Sequence, residues 1–312
     1  MAKLSSDTKG IVRAEGLLKK YGKTTAISGL SFSVDEGEVY GIIGPDGAGK
    51  TTLFRILTTL LLADGGTACV DGLDVVRDYR LIRRRIGYMP GRFSLYQDLS
   101  VEENLNFFAS VFDTSVKENY GMVAEIYSHI EPFKDRRAGK LSGGMKQKLA
   151  LCCALIHAPR VLFLDEPTTG VDPVSRKEFW TMLIKLREQY GLTVLVSTPY
   201  MDEASWCDRI SLMQGGRFLQ TDTPAGIVAA YGKRLFAVSA PAMHALMADL
   251  RACPCVDTSF SFGAAYHVTL NAGCLPGDLT EWLRRRGYAD VNIEEARPSV
   301  EDCFMALMNT SE

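Results

Sequence analysis

The sequence lacks both a membrane-spanning segment and an excess of one charge. Its longest apolar run, residues 149–156, is far shorter than the ~20 residues that a membrane-spanning helix needs. Lysine and arginine number 35 and aspartate and glutamate 37, which gives a net charge of −2 at pH 7. So even a balance creates no long-range field that would favour or forbid a nucleic-acid partner, and we expect none. Residues 1–10 are polar and predict no signal peptide, so we expect a cytosolic protein with at most a peripheral contact to a membrane.

Cysteine occurs eight times but without the paired spacing of a zinc site. Cys152 and Cys153 fall inside an apolar helical pattern, where a free thiol behaves as a small buried hydrophobe. Cys253 and Cys255 form the only pair that suggests metal or redox chemistry, and no second pair or histidine lies at ligand spacing. We therefore expect structural cysteines rather than a metal or redox centre.

At 312 residues the chain is long enough for two domains, and the first is predicted at 11–232. Short buried strands alternate there with longer helical segments. In chain order the clearest of them are the strand 39–43, the helix 50–62, the helix 145–156, the strand 161–164, the helix 174–189 and the strand 193–196. Strands that alternate with helices pair in parallel through crossovers, so the pattern predicts an α/β domain with a parallel core sheet.

Residues 233–312 differ in pattern from the part that precedes them. The runs 235–239 and 266–270 alternate like half-exposed strands, and helical segments stand between and after them. The predicted order is β-α-β-β-α-β, closed by a helix at 300–308. We predict a separate small α+β domain with a regulatory or dimer-supporting role.

A glycine-rich loop joins the first of the buried strands to its helix. Residues 44–51 match the phosphate-loop pattern, in which backbone N–H groups close around phosphates and the helix N-terminus adds a favourable dipole. Lys50 is placed to reach the β- and γ-phosphate oxygens, and Thr51 to offer its hydroxyl to Mg²⁺. The expected ATP-binding residues here are Gly44, Pro45, Asp46, Gly47, Ala48, Gly49, Lys50, Thr51 and Thr52.

Two carboxylates follow the strand 161–164. Asp165, at the strand end, is expected to hold Mg²⁺, usually through water. Glu166 is placed to act as the general base that polarises an attacking water. By itself an acidic turn after a core strand would explain both residues, but after a phosphate loop the pair indicates nucleotide hydrolysis.

A third motif, at residues 141–147, separates this sequence from other nucleotide hydrolases. It reads Leu-Ser-Gly-Gly-Met-Lys-Gln and resembles the signature of ABC ATPases. A serine followed by glycines at a helix start forms a second anion site. In that family the site caps the γ-phosphate held by the other protomer, so the resemblance implies a head-to-tail dimer with ATP at its interface. The residues assigned to this role are Leu141, Ser142, Gly143, Gly144 and Gln147.

Further parts of the family pattern appear in the expected order. Tyr21 resembles the aromatic residue that stacks on adenine, and Asp172 lies in a loop similar to the one that connects the two ATP sites. Residues 86–90 and 99–105 resemble the start of the helical subdomain, here about 92–158, which receives the transmembrane partner.

The chain is thus identified as a member of the ABC transporter ATP-binding subunits, of the drug or multidrug exporter type. Residues 299–304 support the exporter type through a looser similarity. The resemblance implies a P-loop NTPase of ABC type: a parallel core sheet, an antiparallel β subdomain and a helical subdomain, followed by the small α+β domain. It also implies ATP and Mg²⁺ as cofactors and separate transmembrane subunits as partners.

Two positions depart from the family pattern. Gly91 stands where the family has a glutamine that touches Mg²⁺ and the attacking water, and Pro199 stands where it has a histidine that contacts the γ-phosphate. Losing one preorganised donor to a developing charge typically costs ~10²–10³ in rate, so we expect slow or absent hydrolysis at the chain's own site. Asp46, in place of the usual asparagine, is a milder change.

These departures leave alternatives to the main interpretation, a transporter ATPase on the cytoplasmic face of the cell membrane. A homodimer would place Gly91 and Pro199 in both sites, which favours a different second ATP-binding subunit over an active homodimer. The chain could also be an ATP-dependent clamp or regulatory subunit with little hydrolysis, or a soluble ABC ATPase that is not a transporter.

Overall fold

The computed structural model of the protein describes residues 10–309. The prediction of no signal peptide concerns residues that, apart from Gly10, lie outside this range. Within it, no helix is both long and apolar enough to cross a membrane. The chain divides into two compact units, with the division between Pro224 and Ala225. The boundary predicted from sequence lies slightly later, at Gly232, and stays a prediction.

The described residues of the first unit, 10–224, form ten strands. In chain order they are β1 (Val12–Tyr21), β2 (Thr24–Val34), β3 (Val39–Ile43), β4 (Gly65–Val70), β5 (Leu73–Asp74), β6 (Ile86–Met89), β7 (Val161–Asp165), β8 (Thr193–Thr198), β9 (Arg209–Gln214) and β10 (Arg217–Asp222). They form a four-stranded sheet in the order β2-β1-β4-β5 and a six-stranded sheet in the order β10-β9-β3-β8-β7-β6. In the larger sheet, β9, β3, β8, β7 and β6 pair in parallel.

The larger sheet is buried, and its central strands are mostly apolar, with polar residues at the strand ends. Every residue of β3 and β7 is buried, and so is every residue of β8. This is the pattern that a sheet covered on both faces requires. The carboxyl ends of β3, β7 and β8 therefore lie side by side, since Ile43 is in register with Thr198 and Asp165 with Ser197.

Helices cover the sheets and build the helical part of the first unit. In chain order they are α1 (Lys50–Leu57), α2 (Tyr79–Arg85), α3 (Val101–Val111), α4 (Tyr120–Ser128), α5 (Gly143–Leu155) and α6 (Pro173–Tyr190). Helices α3, α4 and α5 fall inside the predicted helical subdomain at about 92–158. The predicted fold class, with a parallel core sheet, an antiparallel sheet and a helical subdomain, is confirmed.

Helix α1 ends earlier than the sequence pattern predicted. It stops at Leu57 rather than near residue 62. The Thr58 hydroxyl donates to the Phe54 carbonyl, and Thr59 adopts a left-handed backbone with φ of 65°. Two successive β-branched residues with hydroxyls that compete for backbone partners explain the early end, although the apolar pattern continues.

The second unit is a smaller α+β fold built around one four-stranded sheet. Its elements are α7 (Pro224–Ala229), β11 (Leu235–Ser239), α8 (Met243–Ala252), β12 (Val256–Phe262), β13 (Ala265–Leu270), α9 (Pro276–Arg285), β14 (Asn292–Ala296) and α10 (Val300–Asn309). The strand order is β12-β13-β11-β14, with every neighbouring pair antiparallel. Val238 and Val268 pack with Leu246 and Leu279 in a core that belongs to this unit alone.

The cysteines depart from expectation at two positions. Cys255 forms a disulfide with Cys274, whereas Cys253, its nearest cysteine in sequence, is a buried free thiol. The hairpin of β12 and β13 brings the two together, because the Asn271 N–H donates to the Cys255 carbonyl at 2.9 Å. A pair separated by 19 residues has no spacing signal in the sequence. The other free cysteines are buried, as expected.

We expect a truncated chain that ends at Gly232 to stay folded and to bind ATP with the affinity of the full chain. The physical reason is that the first unit has its own core, which includes Phe54 and Phe163 in edge-to-face contact. Thermal unfolding and an ATP titration of the two chains would check this. A second truncation, ending at Pro224, should behave in the same way. Unfolding or loss of ATP binding in both would contradict the division.

Candidate functional site

The phosphate loop leads from β3 into α1, and two of its glycines are required by close packing. A Cβ at Gly44 would lie 2.1 Å from the Met213 carbonyl oxygen. Gly49 has φ of 110°, and its Cβ would lie 2.4 Å from the Ala26 carbonyl oxygen. Both positions therefore exclude any side chain. The loop is held in place on the sheet by the Gly44 N–H, which donates to Thr198 at the end of β8.

Lys50 is the first residue of α1 and is buried, with 3% of its side chain exposed. Its ammonium group donates to the carbonyls of Gly44 and Pro45 at 2.8 and 3.0 Å. It also lies 3.1 Å from a carboxylate oxygen of Glu166. The lysine of the loop and the carboxylate that follows β7 are thus brought together, as their motifs predict.

Asp165 ends β7 and is almost fully buried. One of its oxygens accepts hydrogen bonds from the Ser197 hydroxyl at 2.6 Å and from the Thr51 hydroxyl at 3.1 Å. Burial raises the pKa of this carboxyl above its ordinary value, and the bonds from Ser197 and Thr51 oppose the rise. The structure therefore places Thr51 and Asp165 side by side.

Glu166 has a left-handed backbone, with φ of 51°. A residue other than glycine keeps this conformation only when its surroundings impose it, and such residues cluster at functional sites. Here the Glu166 N–H donates to the Ser197 carbonyl at 3.0 Å and lies 3.2 Å from the Ser197 hydroxyl. Ser197 therefore contacts both the carboxylate of Asp165 and the backbone of Glu166. Sequence reasoning missed it, although a serine next to the aspartate across two buried strands was a usable signal.

The signature residues lie at the start of α5. Ser142 is the N-cap, and it and Gly143 are exposed, whereas Leu141 is buried. A Cβ at Gly144 would lie 3.0 Å from the Ser175 hydroxyl of α6, so a larger residue here would require Ser175 to shift. In the described part of the chain, neither a hydrogen bond nor an ion pair joins this motif to the phosphate loop.

Asp172 is the N-cap of α6. Its carboxylate accepts from the backbone N–H groups of Val174 and Ser175 at 3.1 and 3.0 Å. The bond from the Ser175 backbone is the main reason why the pKa of Asp172 lies below its ordinary value. The side chain therefore shapes the loop ahead of α6. Tyr21 lies at the end of β1 and is 48% exposed, with the Lys19 ammonium group 5.9 Å from the centroid of its ring.

The two unusual positions lie next to the site. A Cβ at Gly91 would lie 2.9 Å from the Asp165 carbonyl oxygen, closer than such atoms normally approach. Glycine therefore lets this loop lie against the end of β7, and a simple return to glutamine would displace the loop. Pro199 follows β8 directly, and the next N–H, of Tyr200, is already bonded to the Thr198 hydroxyl.

Comparison with known proteins agrees with this geometry. Residues 27–169 match the family described as ABC transporter. The probable multidrug ABC transporter ATP-binding protein YbhF of Escherichia coli (strain K12) is 38% identical over 305 residues, which is 96% of this chain. The chain spans only 52% of the length of YbhF. The Nod factor export ATP-binding protein I of Rhizobium sp. (strain N33) is 33% identical over 96% of this chain and 97% of its own.

A solved structure gives the same result for the fold. The dimeric structure of MJ0796, a bacterial ABC transporter cassette, is similar with a TM-score of 0.62 and 26% identity, over 68% of this chain and 98% of that chain. A relative matched over nearly its whole length, together with the phosphate loop, the two carboxylates and the signature helix, decides the assignment. The chain belongs to the family of ABC transporter ATP-binding proteins.

Proposed function

We propose that this protein is the ATP-binding subunit of an ABC transporter of the exporter type. One observation carries the proposal: the phosphate-loop Lys50, the hydroxyl of Thr51 and the carboxylates of Asp165 and Glu166 meet at the ends of β3, β7 and β8. The loop would bind the phosphates of ATP, with Tyr21 against the adenine. Glu166 would accept a proton from the attacking water. The names of YbhF and of the Nod factor export protein support the exporter type.

The donor set near Thr51 suits Mg²⁺. The paired hydroxyl and carboxylate oxygens are hard ligands of the kind that this ion prefers. Among residues 10–309 no group of three or more histidine, cysteine, aspartate or glutamate side chains could hold a metal. Thr51 and Asp165 would therefore supply a minority of the ligands, and phosphate oxygens and water the others, as is usual for Mg²⁺. Bound there, the ion would neutralise charge on the phosphates.

The signature of this chain would act on ATP held by a second subunit. Ser142 and Gly143 are exposed at the N-terminus of α5, where backbone N–H groups attract an anion. Since no bond joins them to the phosphate loop in the described residues, a head-to-tail dimer gives them a function. The dimeric arrangement of the MJ0796 cassette supports this.

A cleft in the first unit suits the transmembrane partner. It has a volume of about 340 Å³ and lies between β6 and the helical part of the unit. Met89, Leu95 and Phe108 line it, together with the exposed side chains of Leu60 and Val111. A concave apolar surface that ends in exposed leucine and valine is typical of a site for another protein. We propose that a segment of a transmembrane subunit docks here, which would hold the protein at the cytoplasmic face of the cell membrane.

The second ATP-binding subunit would be a different chain. Gly91 offers no side chain to Mg²⁺ or water, and Pro199 none to the γ-phosphate, so the site at this phosphate loop would turn over slowly. The signature and Asp172 would serve the opposite site, and Ser142 and Asp172 cap the helices α5 and α6. A partner with a complete set of catalytic residues would use them. The same two positions would suit a clamp without hydrolysis, but the similarity to ABC transporter ATP-binding proteins does not favour that alternative.

The MgATP site is tested by Asp165→Asn. Asparagine retains an oxygen that can accept from Ser197 and Thr51, but it removes the charge that would attract Mg²⁺. We expect ATP binding to lose its enhancement by Mg²⁺ while the fold is at least as stable as before. The stability of the two proteins would be compared by thermal unfolding, and their ATP affinity by titration with and without Mg²⁺.

The pH dependence of stability gives an independent check. Because the pKa of Asp165 is raised in the folded state, the folded protein binds the proton more tightly than the unfolded chain. The stability contributed by this group is therefore present below the ordinary value of 3.8 and is lost as the pH rises through the raised pKa. In Asp165→Asn, which cannot titrate at this position, stability should no longer fall as the pH rises through this range. The exposed Asp113→Asn is the control and should keep the pH dependence of the wild type. The same pH dependence of stability in both variants would contradict a raised pKa at Asp165.

A further inference from the structure

A buried carboxylate outside the motifs lies close to the catalytic segment. Glu203 is in the short 3-10 helix Met201–Trp206 and has only 2% of its surface exposed. One of its oxygens accepts a hydrogen bond from the Thr168 hydroxyl at 2.6 Å. Its other oxygen is buried without a hydrogen-bond partner. A buried, half-paired carboxylate is unfavourable for stability, which indicates that the residue serves a purpose other than packing.

Thr168 lies between the general base and the loop that leads to α6. Its carbonyl accepts from the Val171 N–H at 3.1 Å, and the Thr169 N–H donates to the Glu166 carbonyl at 3.2 Å. The side chain of Thr168 is 1% exposed. Its hydroxyl is therefore tied to Glu203 while its backbone closes the turn ahead of Asp172. Movement of Thr168 would be transmitted in both directions along the chain.

The segment 166–172 is held at two points. Its first residue, Glu166, has a strained backbone that Ser197 of β8 fixes. The second point is the bond between Thr168 and Glu203. Both anchors belong to one stretch of chain, β8 and the 3-10 helix that follows it, with Pro199 between them.

The 3-10 helix is itself rigidly placed. The ring of Trp206 stacks on that of Trp180 in α6, with centroids 6.1 Å apart and planes inclined by 9°. The Glu203 carbonyl lies 3.9 Å from the Sγ of Cys207, which is buried. Trp206, in the same 3-10 helix as Glu203, therefore packs on α6, the helix that Asp172 caps. A fixed acceptor at this place can hold the turn at Thr168 in one position.

We propose that Glu203, acting through the Thr168 hydroxyl, is a positioning residue for the general base Glu166 and for the loop that ends at Asp172. The inference rests on the proposed function of Glu166. The bond selects the one arrangement of residues 166–172 in which the base and the inter-site loop are both in place. Loss of the bond leaves ATP binding intact, because within residues 10–309 no hydrogen bond or ion pair joins the phosphate loop to Thr168 or Glu203.

The test compares Thr168→Val, which removes the hydroxyl at nearly constant volume, with Thr168→Ser, which restores it. Single-turnover hydrolysis of bound MgATP is measured for the full chain, so that even a slow site is observed. We expect Thr168→Val to lower the rate by about 10²-fold with unchanged ATP affinity, since a small displacement of a catalytic group has effects of this size. Thr168→Ser should recover most of the rate. Thr181→Val, an exposed threonine of α6 that bonds only to its own helix, is the control.

Amide hydrogen exchange of the isolated chain is the second readout, and it does not depend on hydrolysis. The Val171 N–H should exchange roughly tenfold faster in Thr168→Val than in the wild type, and at the wild-type rate in Thr168→Ser. If the wild type does not hydrolyse ATP, the proposed role of Glu166 fails, and unchanged exchange would then overturn the positioning role separately. Equal losses of rate and ATP affinity, or a rate that serine does not restore, would also overturn it.

Discussion

Lys50→Ala is expected to weaken ATP binding by roughly 10²–10³-fold, because charge-assisted hydrogen bonds are worth about 1.5–3 kcal/mol each. The ammonium group is buried at the start of α1, where it bonds to the carbonyls of Gly44 and Pro45 and to the carboxylate of Glu166. Phosphate oxygens in the loop would take the same donors. Alanine leaves these acceptors without a cation, and no other lysine is placed to replace it within the loop.

The measurement is an ATP titration of the purified protein with Lys117→Ala as the control, since Lys117 is exposed and remote from the loop in sequence. Circular dichroism before each titration would show that the fold is retained. Glu166 loses its ion pair in Lys50→Ala, so a somewhat lower thermal midpoint is expected and does not affect the conclusion. An unchanged ATP affinity would remove the basis for a nucleotide site at residues 44–51.

The phosphate loop and the end of β7 could be predicted from the sequence because their chemistry is encoded locally. A glycine-rich loop between a buried strand and a helix is typical of a phosphate-binding site, and Asp165 comes directly after the apolar residues of its strand. The parallel sheet then brings the two together, since β3 and β7 both pair with β8. The α+β order of the second unit was predicted for the same reason, from alternation and helical periods.

What could not be predicted depends on contacts between residues far apart in sequence. The bond between Thr168 and Glu203 joins residues 35 positions apart, and neither residue type nor spacing marks it. The disulfide of Cys255 depends on how the β12–β13 hairpin closes. The close approach of Gly91 to the Asp165 carbonyl is of the same kind. The sequence suggested that Gly91 lacks a function, whereas the structure also gives this glycine a packing role.

The isolated protein is expected to turn over ATP far more slowly than about 1 s⁻¹, the lower end of ordinary enzymes. Two missing donors, at Gly91 and Pro199, each lower a rate by ~10²–10³ when they would contact developing charge. A homodimer contains both defects in both sites. Addition of a second ATP-binding subunit that has both the glutamine and the histidine should raise turnover by at least ~10²-fold. Steady-state ATPase assays of the protein alone and of the mixture measure the difference.

Two variants then show which of the two ATP sites in the dimer hydrolyses ATP. Ser142→Arg places a bulky side chain at the exposed start of α5, where the partner's ATP would bind, so it should abolish the restored turnover. Glu166→Gln alters only this chain's own site and should leave most of the restored turnover intact. A homodimer would be indicated by the opposite result. The protein alone would then turn over ATP at about 1 s⁻¹ or more, and Glu166→Gln would abolish this activity. In that case Glu166 in its strained, Ser197-held position would suffice for hydrolysis without the glutamine and the histidine.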